Sequence, residues 1–238
     1  MSVMEVKDLR VGYDAEADVL NGVSFHVGEQ ERVAFVGANG AGKSTLMNTI
    51  SGLLKPKSGL IEYRGRRLDG LEPHKIVEEG VILVPEEGGT FPSLSIDENL
   101  RVARRRGCSR EEEERGRERV YEFFPVLREK RRKPAGALSG GQRKMLSVGK
   151  AIMGGPKLLL LDDISMGLAP KAVKELYAML KELTAELKLP VIIVEQIVDI
   201  AMSFATRGYV LSQGRILLEG SSEALLKTDE VKKIYIGV

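Results

Sequence analysis

The sequence predicts an α/β chain: a parallel sheet core, an antiparallel β addition and a helical insertion. Short apolar runs, "RVAFV" (32 to 36), "GVILV" (80 to 84), "LLLL" (158 to 161) and "VIIV" (191 to 194), are bounded by turn residues and separated by helical patterns. Continuous runs of this kind are parallel strands buried on both faces. The two ends differ: "VSFHV" near the start and "GYVLSQGRILLEG" near the end have the pattern of antiparallel strands, the second a hairpin turning at Gln213 and Gly214. From Ser95 to about Met153 the strand signal is absent. There "SIDENLRVARRRG" and "SREEEERGRERVYEFF" predict two helices, with Ser95 and Ser109 as N-caps and acids in each first turn. Pro125, Pro134 and Gly136 break the pattern before a further helix, roughly 142 to 153. The expected division is a core of residues 1–85 and 156–238 with a helical part of about 86–155, all within one domain.

A chain of 238 residues can bury a sizeable core. It has no fixed-period repeat and no apolar run long enough to cross a bilayer, and "MSVMEVKDLR" lacks the apolar segment of a signal peptide. The expectation is a soluble, cytosolic protein. Cys108 is the single cysteine, and His26 and His74 lie far apart, which excludes an intrachain disulfide and argues against zinc chemistry. A net charge of +2 gives no reason to expect nucleic acid as a partner. Charge is uneven, however: residues 101–133 hold thirteen Lys or Arg against seven Asp or Glu, so the rest of the chain carries −4. That excess is either a solvated helix face with intrahelical ion pairs around "SREEEERGRER" or a surface attracted to anionic headgroups.

"GANGAGKS" (37 to 44) fits G-x-x-x-x-G-K-[ST] in full, directly after a strand and directly before the helical "STLMNTISGLL". Gly37, Gly40 and Gly42 let backbone amides turn inward around phosphate, Lys43 can reach the β and γ phosphates, and the Ser44 hydroxyl can ligate Mg²⁺. A P-loop of this kind needs an acid at the end of a neighbouring buried strand, and Asp162, closing "LLLLD", supplies it. "LSGGQ" (138 to 142) then places Ser139, two glycines and free amides at the start of a helix, which is either a second anion site or a turn with a helix cap.

With this order and spacing the chain resembles the ABC-type ATPases, and no N-K-x-D motif supports a GTPase. "GANGAGKSTLMNTISGLLKPKSG", "VPEE" followed by "FPSLSIDENL", "GLAP", "VEQ" and the terminal "IYIGV" look like the smaller ATP-binding subunits of branched-chain amino acid importers and their amide or urea relatives. The resemblance implies a P-loop nucleotidase fold of the RecA type, with ATP and Mg²⁺ as cofactors. Tyr13 would stack on adenine, and Asn39 and Thr45 would join Gly37, Gly40, Gly42, Lys43 and Ser44 around the nucleotide. Ser44, Asp162 and Glu86 would serve Mg²⁺. Ser139, Gly140, Gly141 and Gln142 would close on ATP held by a second ATP-binding subunit, or a second copy, in a head-to-tail dimer. The other implied partners are membrane permease subunits, docking near Phe91 and Leu94, and indirectly a substrate-binding protein. Phe91 and Leu94 can equally pack into the helical insertion.

Three positions depart from the general pattern of that family. Glu86 stands where most members have glutamine, and Gln196 where many have histidine; both are usual in the importer branch. Glu195, next to Gln196, points to the opposite face of its strand, which favours a structural role. The larger departure is Asp163, where the family has a glutamate that polarises the attacking water, followed by Ile164 in place of proline. Aspartate is shorter by about 1.5 Å. Either hydrolysis is slow, or the backbone released from proline carries Asp163 to the water, or the site is a clamp while hydrolysis occurs elsewhere. The expected function is therefore an importer ATPase, against a regulatory nucleotide clamp or a soluble, non-transport ATPase.

Overall fold

The computed structural model describes residues 2–14 and 16–228. In chain order its first half forms β1 (Ser2–Val11), β2 (Leu20–Gly28), β3 (Arg32–Val36), α1 (Lys43–Ile50), β4 (Ser58–Tyr63), β5 (Arg66–Arg67), α2 (Pro73–Glu78), β6 (Val81–Val84), α3 (Ile96–Val102) and α4 (Arg110–Phe123). There follow α5 (Pro125–Glu129), α6 (Gly140–Met153), β7 (Leu158–Asp162), α7 (Pro170–Glu186), β8 (Val191–Glu195), α8 (Val198–Phe204), β9 (Arg207–Ser212), β10 (Arg215–Ser221) and α9 (Ser222–Lys227). The terminal "IYIGV" lies outside the described residues.

The predicted α/β class is what forms. A six-stranded sheet has the order β10-β9-β3-β8-β7-β6, parallel from β9 to β6, with β10 antiparallel at its edge. The β9–β10 hairpin turns at Gln213 and Gly214, both at positive φ (46° and 73°), as a two-residue turn between twisted strands requires. Alternation along the parallel strands divides the core in two. Val33, Phe35, Leu158, Leu160, Ile192 and Val194 face α1 and the antiparallel strands, whereas Ala34, Val36, Leu159, Leu161 and Ile193 face the helical side.

A second sheet, β2-β1-β4-β5, is antiparallel throughout and larger than the sequence suggests. Repeated register shifts in β1 interrupt its inward and outward alternation, and that hides it from periodicity. Phe35 stacks on Tyr209 at 4.9 Å between centroids and receives the edge of Phe25 at 4.8 Å. Such buried rings contribute about 2 kcal/mol each and fasten the second sheet to β3.

Ser95 and Ser109 cap α3 and α4 through full capping boxes, closed by Glu98 and Glu112. α3 stops at Val102, before the arginine run, because the Arg105 amide turns away to donate to the Met153 carbonyl (3.1 Å) at the end of α6. α6 starts at Gly140, two residues before its expected start, with Ser139 as its cap. The predicted intrahelical ion pairs form, Arg117 meeting Glu114 at 3.6 Å, but they are only part of the charge pattern. Glu113 does approach Arg117 on its own helix (4.0 Å), but its shortest bond is to Arg104 beyond α3 (2.7 Å), and Arg119 reaches Glu186 of α7 (2.7 Å). Much of the charge therefore ties helices to one another.

Candidate functional site

Four adjacent parallel strands release their chemistry at one edge of the sheet: β3 leads into Gly37, β8 into Gln196, β7 into Asp163 and β6 into Glu86. Ligands in open α/β sheets bind outside the carboxyl ends of strands for this reason. A cleft of about 460 Å³ opens there. The loop from Asn39 to Thr45 forms its floor, Tyr13 and Val19 one wall, and Glu86, Asp163 and Gln196 the other.

The loop is shaped by glycines that no larger residue can replace. A Cβ on Gly37 would lie 2.1 Å from the Leu211 carbonyl oxygen, and Gly42 has φ 104° with a Cβ position 2.6 Å from Leu20. Gly42 is also the N-cap of α1, and it offers no side chain to the first amides of the helix. Those amides stay available to an anion. Lys43 is buried, and its Nζ donates to the carbonyls of Gly37 (2.7 Å) and Ala38 (3.1 Å). Burial lowers its pKa, against the raising influence of Asp163, Asp162, Glu195 and Glu86 around it.

The Ser44 hydroxyl donates to Asp162 Oδ1 at 3.2 Å. Burial pushes the Asp162 carboxyl up to about 6; the Ser44 bond opposes this, and the charges of Glu86 and Asp163 add to it. Such a hard-oxygen pair suits Mg²⁺. Among the described residues no group of three or more His, Cys, Asp or Glu could cage a metal ion. Mg²⁺ needs only one or two protein oxygens when phosphates complete its shell, so Ser44 and Asp162 fit it.

Asp163 is buried and takes φ 41°, a left-handed conformation that aspartate tolerates and that a residue preceding proline is steered away from. Ile164 is thus compatible with the turn. The Asp163 amide donates to the Val194 carbonyl (3.0 Å), and Asp163 Oδ2 accepts from Gln196 Nε2. Tyr13 is exposed, with its hydroxyl 3.3 Å from Thr45 Oγ1, leaving a ring face open beside the loop. Glu86 lines the cleft, and its backbone carbonyl accepts from Lys144 of α6.

Ser139, Gly140, Gly141 and Gln142 do not line this cleft. Gly140 and Gly141 open α6, while Ser139 Oγ accepts from the Gln142 amide (3.4 Å). Gln142 Oε1 accepts from the Ser139 amide (3.3 Å) and from Lys130 (2.9 Å), so this side chain completes a cap within its own chain. Phe91 is half exposed, with Lys150 Nζ 4.3 Å from its ring centre, and Leu94 is half-buried. Sequence reasoning missed the roles of Lys144, which donates to the Glu86 carbonyl, and of Ser165 and Tyr177, which donate to Glu195; each partner lies 18 or more residues away in the chain.

The family model described as "ABC transporter" matches residues 20–165. A high-affinity branched-chain amino acid transport ATP-binding protein of Pseudomonas aeruginosa is 38% identical over 227 residues, covering 94% of this chain and 96% of that one. A probable branched-chain amino acid transport ATP-binding protein of Archaeoglobus fulgidus is 31% identical over 232 residues, 98% and 94% of the two chains. Among solved structures, a nucleotide-free ATP-binding cassette from an ABC transporter superposes with TM-score 0.89 at 28% identity over the full length of both chains. The chain belongs to the ABC transporter family, as one of its ATP-binding cassettes. It is an ATPase coupled to transport, and its fold is that of a P-loop nucleotidase.

Proposed function

We propose that this chain is the ATP-hydrolysing subunit of an importer for branched-chain amino acids or related amides. It would pair head to tail with a second ATP-binding subunit, or with itself, beneath integral membrane permeases on the cytoplasmic face of the membrane. The names of its relatives support the substrate class. No helix among the described residues is long and apolar enough to cross a membrane, which is consistent with attachment through permease subunits. Half-exposed Phe91 supports docking near the loop before α3, with the helical part, about 86–155, presenting it. A substrate-binding protein would act on the chain only through the permeases.

The observation that carries the reading is the convergence of Lys43, Ser44, Asp163 and Gln196 on one cleft. On ATP binding, Lys43 would exchange the carbonyls of Gly37 and Ala38 for phosphate oxygens, and the amides of α1 would hold the rest of the triphosphate. Tyr13 would stack on the base. Ser44 and Asp162, with Glu86 beside them, would hold Mg²⁺, which when bound offsets phosphate charge. Asp163 would accept a proton from the attacking water, oriented by the amide of Gln196. Ser139, Gly140 and Gly141 would meet the ATP of the partner subunit, with Gln142 keeping their turn in shape.

Asp163 is about 1.5 Å shorter than glutamate, and a displacement near 1 Å costs on the order of 10²-fold where positioning carries the chemistry. Its own site would hydrolyse slowly. The bond from Gln196 to Asp163 also favours a second reading, a nucleotide-gated clamp whose partner subunit does most of the hydrolysis. Single-turnover hydrolysis with Asp163→Glu tests this. A gain of about 10-fold or more is expected for a slow base, and an unchanged rate would overturn it.

A further inference from the structure

We propose that Glu195 is a positioning residue: its buried carboxylate fastens the turn from Asp163 to Ser165 onto the end of β8 and thereby sets Asp163 against Gln196. The inference rests on the reading of Asp163 as the group that polarises water.

Glu195 closes the run "VIIV" and is fully buried. Packing alone would be served by a further apolar residue there. By strand alternation it shares the face of Val191 and Ile193, toward the helical side, while Gln196 turns to the cleft. Three donors converge on it: the Ser165 amide on Oε1 (3.0 Å), the Ser165 hydroxyl on Oε2 (2.6 Å) and the Tyr177 hydroxyl on Oε1. No lysine or arginine among the described residues forms an ion pair with it. Burial pushes the Glu195 carboxyl up to about 7; the Ser165 and Tyr177 bonds oppose this by favouring the charged form, and the neighbouring Asp163 adds to it.

The geometry shows what those bonds restrain. Asp163 is bonded to β8 through its amide, which donates to Val194, and through its side chain, which accepts from Gln196. Ser165, two residues on, is bonded to the residue between Val194 and Gln196. The left-handed turn at Asp163 is therefore held from both sides by consecutive residues of one strand. Tyr177 is itself braced by the edge of Phe204, 5.6 Å between centroids, so α7 backs the arrangement.

The test uses the full chain in excess over radiolabelled ATP, with single-turnover hydrolysis, affinity for a fluorescent ATP analogue and thermal unfolding measured for each variant. Glu195→Leu fills the buried position with an apolar side chain and removes all three bonds; hydrolysis should fall about 10- to 100-fold while affinity changes less than about 2-fold. Glu195→Gln, which keeps an acceptor for the Ser165 amide and Tyr177, should recover most of the rate. In an Asp163→Ala background, Glu195→Leu should cause no further loss, since it acts through Asp163. A wild-type rate for Glu195→Leu, or the same loss in both backgrounds, overturns the inference. Should Glu195→Leu not fold, Tyr177→Phe is judged by the same criteria. An Asp163→Ala chain that hydrolyses ATP at the wild-type rate instead overturns the reading of Asp163 itself, and the inference with it.

Discussion

Two helices, α1 and α6, begin at glycine-rich stretches, and their first turns are finished in opposite ways. α1 starts from Gly42 in a left-handed conformation with no side-chain cap, whereas Ser139 and Gln142 close a capping box on α6. α3 and α4 have the same box as α6, but closed by glutamates and with further acids in the first turn; α1 and α6 have none. An uncapped end keeps its amides for a ligand, at a cost in stability of the empty chain. A box closed by neutral glutamine satisfies the helix while adding no negative charge that would repel phosphate. α1 thus leaves its first amides free for a ligand, whereas α6 is complete by itself and, under the proposed function, would still accept an anion brought by another chain.

The largest expected contrast is in nucleotide affinity. Lys43→Ala should weaken ATP binding to the isolated chain about 100-fold by titration with a fluorescent analogue, because the buried ammonium that would exchange the Gly37 carbonyl for phosphate is lost. Ser139→Ala should leave that affinity within about 2-fold; an equal loss from both substitutions would erase the distinction. Gly42→Ala is next: at φ 104° and with Leu20 2.6 Å from the new Cβ, it should lower stability by about 2 kcal/mol in urea denaturation. Ser139→Ala should cost about 1 kcal/mol through the lost cap and should also abolish ATP-dependent dimers in analytical ultracentrifugation. The smallest effect is Lys130→Ala, which removes one bond to Gln142 and should cost about 0.5 kcal/mol with dimerisation unchanged.

Much of the site was legible because its motifs are local. The P-loop, "LLLLDD" and "LSGGQ" each place donors within a few residues of a strand or helix end, where backbone geometry fixes their direction. The caps at Ser95 and Ser109 were legible for the same reason, since a capping box spans only four residues. The full antiparallel sheet was not, because β1 changes register as it runs and its partner β4 carries too short an apolar pattern. Nor was the destination of the arginines: a sequence shows that Glu113 can meet Arg117 one turn away, but not that α3 lies near enough for Arg104 to form the shorter bond.

By itself, then, the sequence determined the α/β order, the phosphate loop, the acid at the end of β7 and the shortened side chain at Asp163. Tertiary structure alone decided that Asp163 turns left-handed, that Gln196 donates to it, and that Glu195 gathers Ser165 and Tyr177 beneath the cleft. The reason is separation along the chain. Periodicity and motif spacing report what neighbours in sequence share, whereas Asp163, Tyr177 and Glu195 come together only because β7 and β8 pair in parallel and α7 packs across them.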